Sequence, residues 1–150
     1  MGTFEESLTN LWKKIGNHGV MVLSTCAESR VTSRPISVVV IDGKFYCQTG
    51  ADHLKYQQIT QNPKAALCAK NFSIEGTCRD LGKPLDNANS TFANAYKKHF
   101  LLAYKSYSHI EKERLLEITP TLIYSWSYEL TKPYMEYWDF ENRSYRKEYK

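Results

Sequence analysis

Hydrophobic positions change period several times along this chain. From Thr3 to Ile15 the apolar residues Phe4, Leu8, Leu11, Trp12 and Ile15 fall on one face of a helix. Thr3 and Glu6 form a capping-box pattern ahead of that stripe, and Gly16 is a suitable C-terminal cap. Val20 to Cys26 is a short continuous apolar run. Val31 to Ile41 is a long β-branched one, interrupted only by Ser33-Arg34-Pro35 and Ser37, and both runs predict strands. Asp42-Gly43 predicts a two-residue hairpin turn, and Lys44 to Thr49 the returning strand. Gly50 breaks that strand, Ala51 to Thr60 reads as a helix, and Asn62-Pro63 stops it.

Lys64 to Lys70 and Phe72 to Asp80 predict two further strands, closed by Gly82-Lys83-Pro84. Gly76 inside the second predicts a bulge or a close backbone approach. Asn89 to Phe100 predicts a helix with Phe92, Tyr96 and Phe100 on one stripe, and Ile110 to Leu116 a short helical piece. Thr121 to Trp126 and Tyr134 to Phe140 read as closing strands, split by a loop at Thr131-Lys132-Pro133, before a charged tail from Glu141 to Lys150. There is no internal repeat or low-complexity linker. Hairpins dominate, and regular crossover helices do not separate the strands. The expected fold is mainly β, an antiparallel β-barrel with flanking helices, rather than a doubly wound α/β sheet.

Composition narrows the class. A chain of 150 residues, 42% hydrophobic and 24% charged, is expected to form one globular domain over residues 1–150. Eleven Tyr and three Trp suit a β-rich fold, and also an aromatic ligand or a subunit interface. The four Cys show no C-x-x-C pair, and the amphipathic N-terminus does not resemble a signal peptide, so a cytoplasmic protein with reduced thiols is expected. No apolar run approaches the roughly 20 residues of a membrane span. His18, His53, His99 and His109 have no metal-ligand spacing, and no metal is expected. Neither G-x-G-x-x-G nor G-x-x-x-x-G-K-[ST] occurs.

The candidate chemistry lies in the hairpin and the helix after it. They bring Thr49-Gly50 to a helix N-terminus, with Arg34 on the neighbouring strand and Lys55 in the helix. A hydroxyl, backbone N–H groups, a guanidinium and an ammonium at one place suit a phosphate. The net charge of +4 fits an anionic small molecule or a nucleic acid equally well. The phosphate set favours the small molecule, so neither nucleic acid nor membrane is expected as a partner.

Four segments in order, SRPI at 33–36, FYCQTG at 45–50, K-x-x-Q-I at 55–59 and NP-x-x-AL at 62–67, resemble the pyridoxamine-phosphate-oxidase-like flavoproteins. These are the FMN-binding split β-barrels, and the general-stress-protein branch is the most similar. The resemblance implies a homodimer with FMN at the subunit interface. By position it assigns the strand arginine to Arg34, and flavin-edge backbone contacts to Pro35, Ile36, Ser37, Val38 and Val39. The pair opening the phosphate loop falls on Gln48 and Thr49, and the helix lysine on Lys55. An amide near the flavin maps to Asn71. The C-terminal Glu136-Tyr137-Trp138-Asp139 resembles an E-[FW]-W motif, which carries Trp138 and, beyond it, Arg146 into the cofactor set.

The chain also departs from the oxidase pattern. Leu54 stands where the true oxidases have an arginine, and Arg143-Ser144-Tyr145 replaces their substrate-gripping R-x-H. The resemblance therefore implies an FMN-dependent oxidoreductase acting on an unidentified small substrate, rather than the oxidase itself. A flavin-binding sensor or carrier without turnover is the alternative, and haem binding a weaker one. Independently, an FMN phosphate with close to two negative charges suits Arg34, Lys55 and Thr49, and a Val-rich strand suits the isoalloxazine plate. Hydride reaches flavin N5 directly, so no catalytic side chain is assigned.

Overall fold

A computed structural model describes residues 3–150. It contains helix α1 (Phe4–Ile15) and strands β1 (His18–Ala27), β2 (Arg30–Ile41) and β3 (Lys44–Gly50), then helix α2 (Leu54–Gln61). Strands β4 (Lys64–Ala69) and β5 (Phe72–Asp80) follow, then helices α3 (Ser90–His99) and α4 (Leu101–Tyr107). Strands β6 (Glu113–Glu129), β7 (Lys132–Asp139) and β8 (Ser144–Tyr149) complete the chain. All strands join one antiparallel sheet in the order β3-β2-β1-β4-β5-β6-β7-β8. β3 also pairs with β6, which closes six strands into a barrel and leaves β7 and β8 as an extension.

Local chemistry sets this topology. Asp42 and Gly43 have φ of 50° and 74°, the left-handed pair that a tight β2–β3 hairpin needs. The register shifts between Glu75 and Gly76, where a Cβ on Gly76 would lie 2.6 Å from the Thr119 carbonyl oxygen. This bulge bends β5 against β6. The length of β6 lets it serve three partners: residues 113–118 pair with β3, 116–125 with β5 and 122–129 with β7.

Inward side chains, including Leu23, Val38, Phe45, Leu67, Ile74, Leu116, Ile118 and Ile123, fill the barrel. The capped helix α1 covers this core with Phe4, Leu11 and Ile15, its Thr3–Glu6 capping box in place. Outside the barrel, Phe92 and Tyr96 of α3 pack on Val39 of β2 and Leu115 of β6 in a second cluster.

Several boundaries differ from the sequence expectation. The helical piece expected at 110–116 is instead the start of β6, and the extra helix lies earlier, at α4. Leu116 faces the barrel core and Leu115 the α3 layer, so both faces of this strand are buried and its apolar run loses the period-two signature. The helix from Asn89 is broken at Phe100, whose backbone (φ −135°, ψ 57°) leaves the helical region. The expected loop at Thr131-Lys132-Pro133 is a tighter turn, with Lys132 and Pro133 already in β7. The charged tail holds β8, whose cations lie over tyrosine rings: Arg146 over Tyr137 at 3.9 Å and Lys147 over Tyr134 at 4.2 Å.

Candidate functional site

A cavity of about 430 Å³ opens where β2, β3 and the N-terminus of α2 meet the α3–α4 layer. Pro35, Ile36 and Ser37 of β2 line it, with Gln48, Thr49 and Gly50 of β3. Asp52, His53 and Lys55 contribute from the turn into α2. Tyr96, Ala103 and Tyr107 close the helical side, and Ile110, Lys112 and Glu113 the approach to β6. The hairpin, the strand and the helix start thus converge in one place.

Thr49 is 3% exposed, and its Oγ1 is sealed from solvent with no hydrogen-bond partner. A buried hydroxyl left unpaired costs about 1–3 kcal/mol. The α2 N-cap, His53, makes no side-chain capping bond, so the first-turn N–H groups are not satisfied from within the helix. Lys55 Nζ lies 3.3 Å from His53 Nδ1. Burial lowers the Lys55 pKa from its usual value, and nearby Arg34 lowers it further. These groups form a donor-rich corner that a dianionic phosphate would satisfy.

Arg34 stands beside that corner but does not line the cavity. Its guanidinium donates to the Leu23 carbonyl at 3.3 Å, to Thr25 Oγ1 at 2.8 Å and to Thr32 Oγ1. Gln58 of α2 accepts from both threonine hydroxyls and so braces them. Three of the five N–H donors of Arg34 are engaged, and two remain for a ligand. Burial lowers the Arg34 pKa.

The other residues of the expected set divide. The side chains of Val38 and Val39 are buried, one in the barrel and one under α3, leaving their backbone for any ligand contact. Gln48 is used at both ends: its carbonyl accepts from Ser108 Oγ at 2.9 Å, and its amide donates to Glu113 Oε2 at 2.8 Å. Asn71, Trp138 and Arg146 do not line this cavity. Asn71 sits in the β4–β5 turn and donates to the Trp126 carbonyl. Trp138 is 1% exposed, packed against Phe72 and Tyr145, and Arg146 pairs with Glu148 over Tyr137.

Glu113, Ile110 and Lys112 are not visible as site residues in the sequence, because Ile110 to Leu116 reads as a helical piece, and Tyr107 falls between that piece and the expected helix ending at Phe100. Burial raises the Glu113 pKa, with the Gln48 hydrogen bond and the charges of His53 and Lys55 acting against it. A second cavity, about 560 Å³, lies across β1, β4 and β5 and carries Lys64, Glu75 and Glu141, but no unpaired buried donor. Among the described residues no cluster of His, Cys, Asp or Glu is placed to hold a metal ion, and no helix is long and apolar enough to cross a membrane.

The sequence matches the Pyridoxamine 5'-phosphate oxidase family over residues 9–127. Solved structures share the fold at low identity. General Stress Protein 26 from Bacillus anthracis is 21% identical, with 80% of this chain and 91% of that one covered and a TM-score of 0.61. A pyridoxamine 5'-phosphate oxidase-related, FMN-binding protein from Nostoc punctiforme is 14% identical, with 87% and 86% covered and a TM-score of 0.58. HutZ, the haem storage protein from Vibrio cholerae, is 9% identical, with 79% and 91% covered and a TM-score of 0.63. No curated protein sequence matches the chain.

Proposed function

This chain belongs to the pyridoxamine 5'-phosphate oxidase family, and we propose that it is an FMN-binding flavoprotein acting as an oxidoreductase on a small substrate. The observation that carries the reading is the sealed, unpartnered Thr49 hydroxyl beside Lys55 and the α2 N-terminus. Those groups would hold the phosphate, and the free donors of Arg34 would add a second cation. The β2 backbone from Pro35 to Val39 would edge the ring. Bound flavin supplies hydride exchange, and the chain's own residues bind and orient it.

The protein is further proposed to be a homodimer. Pro35, on the cavity wall, pairs with Val22 of β1, which is 41% exposed, so the cavity opens beside an uncovered apolar sheet face. Pyridoxamine phosphate is not the favoured substrate. Arg143 is committed to Glu5 and to the Phe4 ring, and Tyr145 donates to Glu136 at 2.6 Å, so the positions replacing R-x-H are engaged within the fold. Flavin binding without turnover remains the alternative. Haem is a second reading, supported by His53 on the cavity wall, whose imidazole could ligate a haem iron.

The absorption spectrum of the purified protein, followed by titration with FMN, riboflavin and haem, tests all of these. FMN is expected to bind more tightly than riboflavin. Lys55→Ala or Arg34→Ala removes a charge-assisted contact of about 1.5–3 kcal/mol and should weaken FMN about 10- to 100-fold. Equal affinity for riboflavin and FMN defeats the phosphate assignment, and tight haem binding lost in His53→Ala replaces it with the second reading.

A further inference from the structure

The phosphate corner has a carboxylate on its wall. Glu113 opens β6, is 6% exposed, and lines the same cavity as Thr49 and Lys55. Its Oε2 accepts from Gln48 Nε2 at 2.8 Å, and Gln48 is in turn fixed by Ser108. Glu113 lines the cavity, and among the described residues no hydrogen bond engages its Oε1.

The groups around this carboxylate come from α2 and the turn before it, from β3 and α3, and from the turn ahead of β6. His53 and Lys55 at the start of α2 attract it, and Asp52 beside them repels it. Gln48 of β3 holds one oxygen. Tyr96 of α3 senses its charge, and Lys112 precedes it on the cavity wall. Without a ligand, the carboxylate is a counter-charge for Lys55, the cation on the cavity wall that a phosphate would use.

Resting on the phosphate assignment above, we propose that Glu113 couples phosphate binding to proton binding: carboxylate and dianion compete for Lys55, and the cavity takes the dianion with Glu113 neutral. The proton comes from solvent and sits on Oε1, because Oε2 already accepts from Gln48. There it presents an O–H donor toward the ligand. Glu113 thereby sets the charge that the cavity tolerates. Like charges brought together away from water repel strongly, whereas a neutral carboxyl beside a phosphate is a hydrogen-bond donor. Above about pH 6, where a free phosphate monoester is mainly dianionic, affinity falls as pH rises.

Titration calorimetry of FMN in two buffers of different ionisation enthalpy counts the protons taken up. It is run at pH 6, 7 and 8 on the full chain and on Glu113→Gln, with riboflavin as the phosphate-free control. Gln can still accept from Gln48, so the fold is retained. The wild type should take up more protons per FMN at pH 7–8 than Glu113→Gln. The variant should bind FMN about tenfold more tightly at pH 8, with the advantage shrinking at pH 6. Riboflavin should not distinguish the two proteins. FMN binding by the wild type at pH 7–8 without proton uptake overturns the proposal whatever the variant does. An equal gain for riboflavin also overturns it, since the carboxylate would then oppose the ring. No FMN binding at any pH removes the phosphate assignment itself, and this proposal with it.

Discussion

Ser108, just past the end of α4, donates its hydroxyl to the side-chain carbonyl of Gln48 on β3, at 2.9 Å and 60 residues away in sequence. The same amide donates to Glu113 at the start of β6. One buried side chain thus ties three segments together on the cavity wall, and its orientation is fixed because both ends are used.

Ser108→Ala should therefore cost more than an ordinary surface change. Gln48 is 6% exposed, so its carbonyl would be left buried without a donor, at about 1–3 kcal/mol. Urea denaturation should show that loss, and amide exchange in α4 should speed up relative to β5. An unchanged midpoint would mean that water replaces the hydroxyl at no cost.

Thr49→Val separates stability from binding. Valine nearly matches threonine in shape and removes the sealed hydroxyl that has no partner. The ligand-free protein should be as stable as the wild type, or about 1 kcal/mol more stable. FMN should bind about 5- to 30-fold more weakly if that hydroxyl serves the phosphate. Thermal melts with and without FMN check both halves, and a variant that loses stability without losing affinity contradicts the assignment.

The sequence carried the first half of the site and little of the second. Thr49, Lys55 and the β2 strand lie within about 20 residues, and Asp42-Gly43 sets a turn that brings them together regardless of the rest of the fold. Gly76 was legible for the same local reason, as the point where β5 must approach the Thr119 backbone. Glu113 reaches the cavity only through barrel closure between β3 and β6, a pairing that no local pattern announces. Leu115 and Leu116 hid that strand by being buried on opposite faces. β8 was hidden because its Arg146 and Lys147 charges lie over tyrosine rings, so a paired strand reads as a solvated tail. Trp138 matched a motif by position, and in the fold it is buried against Phe72 and Tyr145.

The raised pKa of Glu113 also predicts how stability changes with pH without any ligand. Burial raises it, so in the window between the ordinary glutamate value and the raised one the folded protein holds more protons than the unfolded chain. Stability from this group is therefore present at low pH and lost as pH rises through that window. Hydrogen-bonded surface carboxylates such as Glu129 and Asp139 have lowered pKa values and act in the opposite direction at lower pH. The difference between wild type and Glu113→Gln isolates the buried group. In urea melts from pH 4 to 8 the variant should gain on the wild type as pH rises, and a constant difference would show that Glu113 titrates normally.

One transverse row on the outer sheet face runs from Pro35 through Val22, Cys68, Ser73 and Tyr124 to Tyr137, each paired with the next across β2, β1, β4, β5, β6 and β7. Val20 at 65% exposed, Val22 at 41% and Trp126 at 56% make this face apolar. Pro35 belongs both to this row and to the cavity wall, so a second copy seated on the row would also cover the cavity mouth. A stable dimer of this kind should bury at least about 1,200 Å² in total. Val22→Glu would then place an unpaired carboxylate inside the interface, and charges buried without partners are strongly disfavoured. In the monomer the same side chain remains partly exposed, so the fold should survive. Sedimentation velocity at micromolar concentration should show a dimeric wild type and a monomeric Val22→Glu. FMN should raise the melting temperature of the wild type and favour its dimer, because a ligand held by both subunits stabilises the assembly by mass action. The monomeric variant should bind FMN more weakly although every residue of the phosphate corner is unchanged. A wild type that is monomeric at that concentration and still binds FMN tightly would show that one subunit completes the site alone.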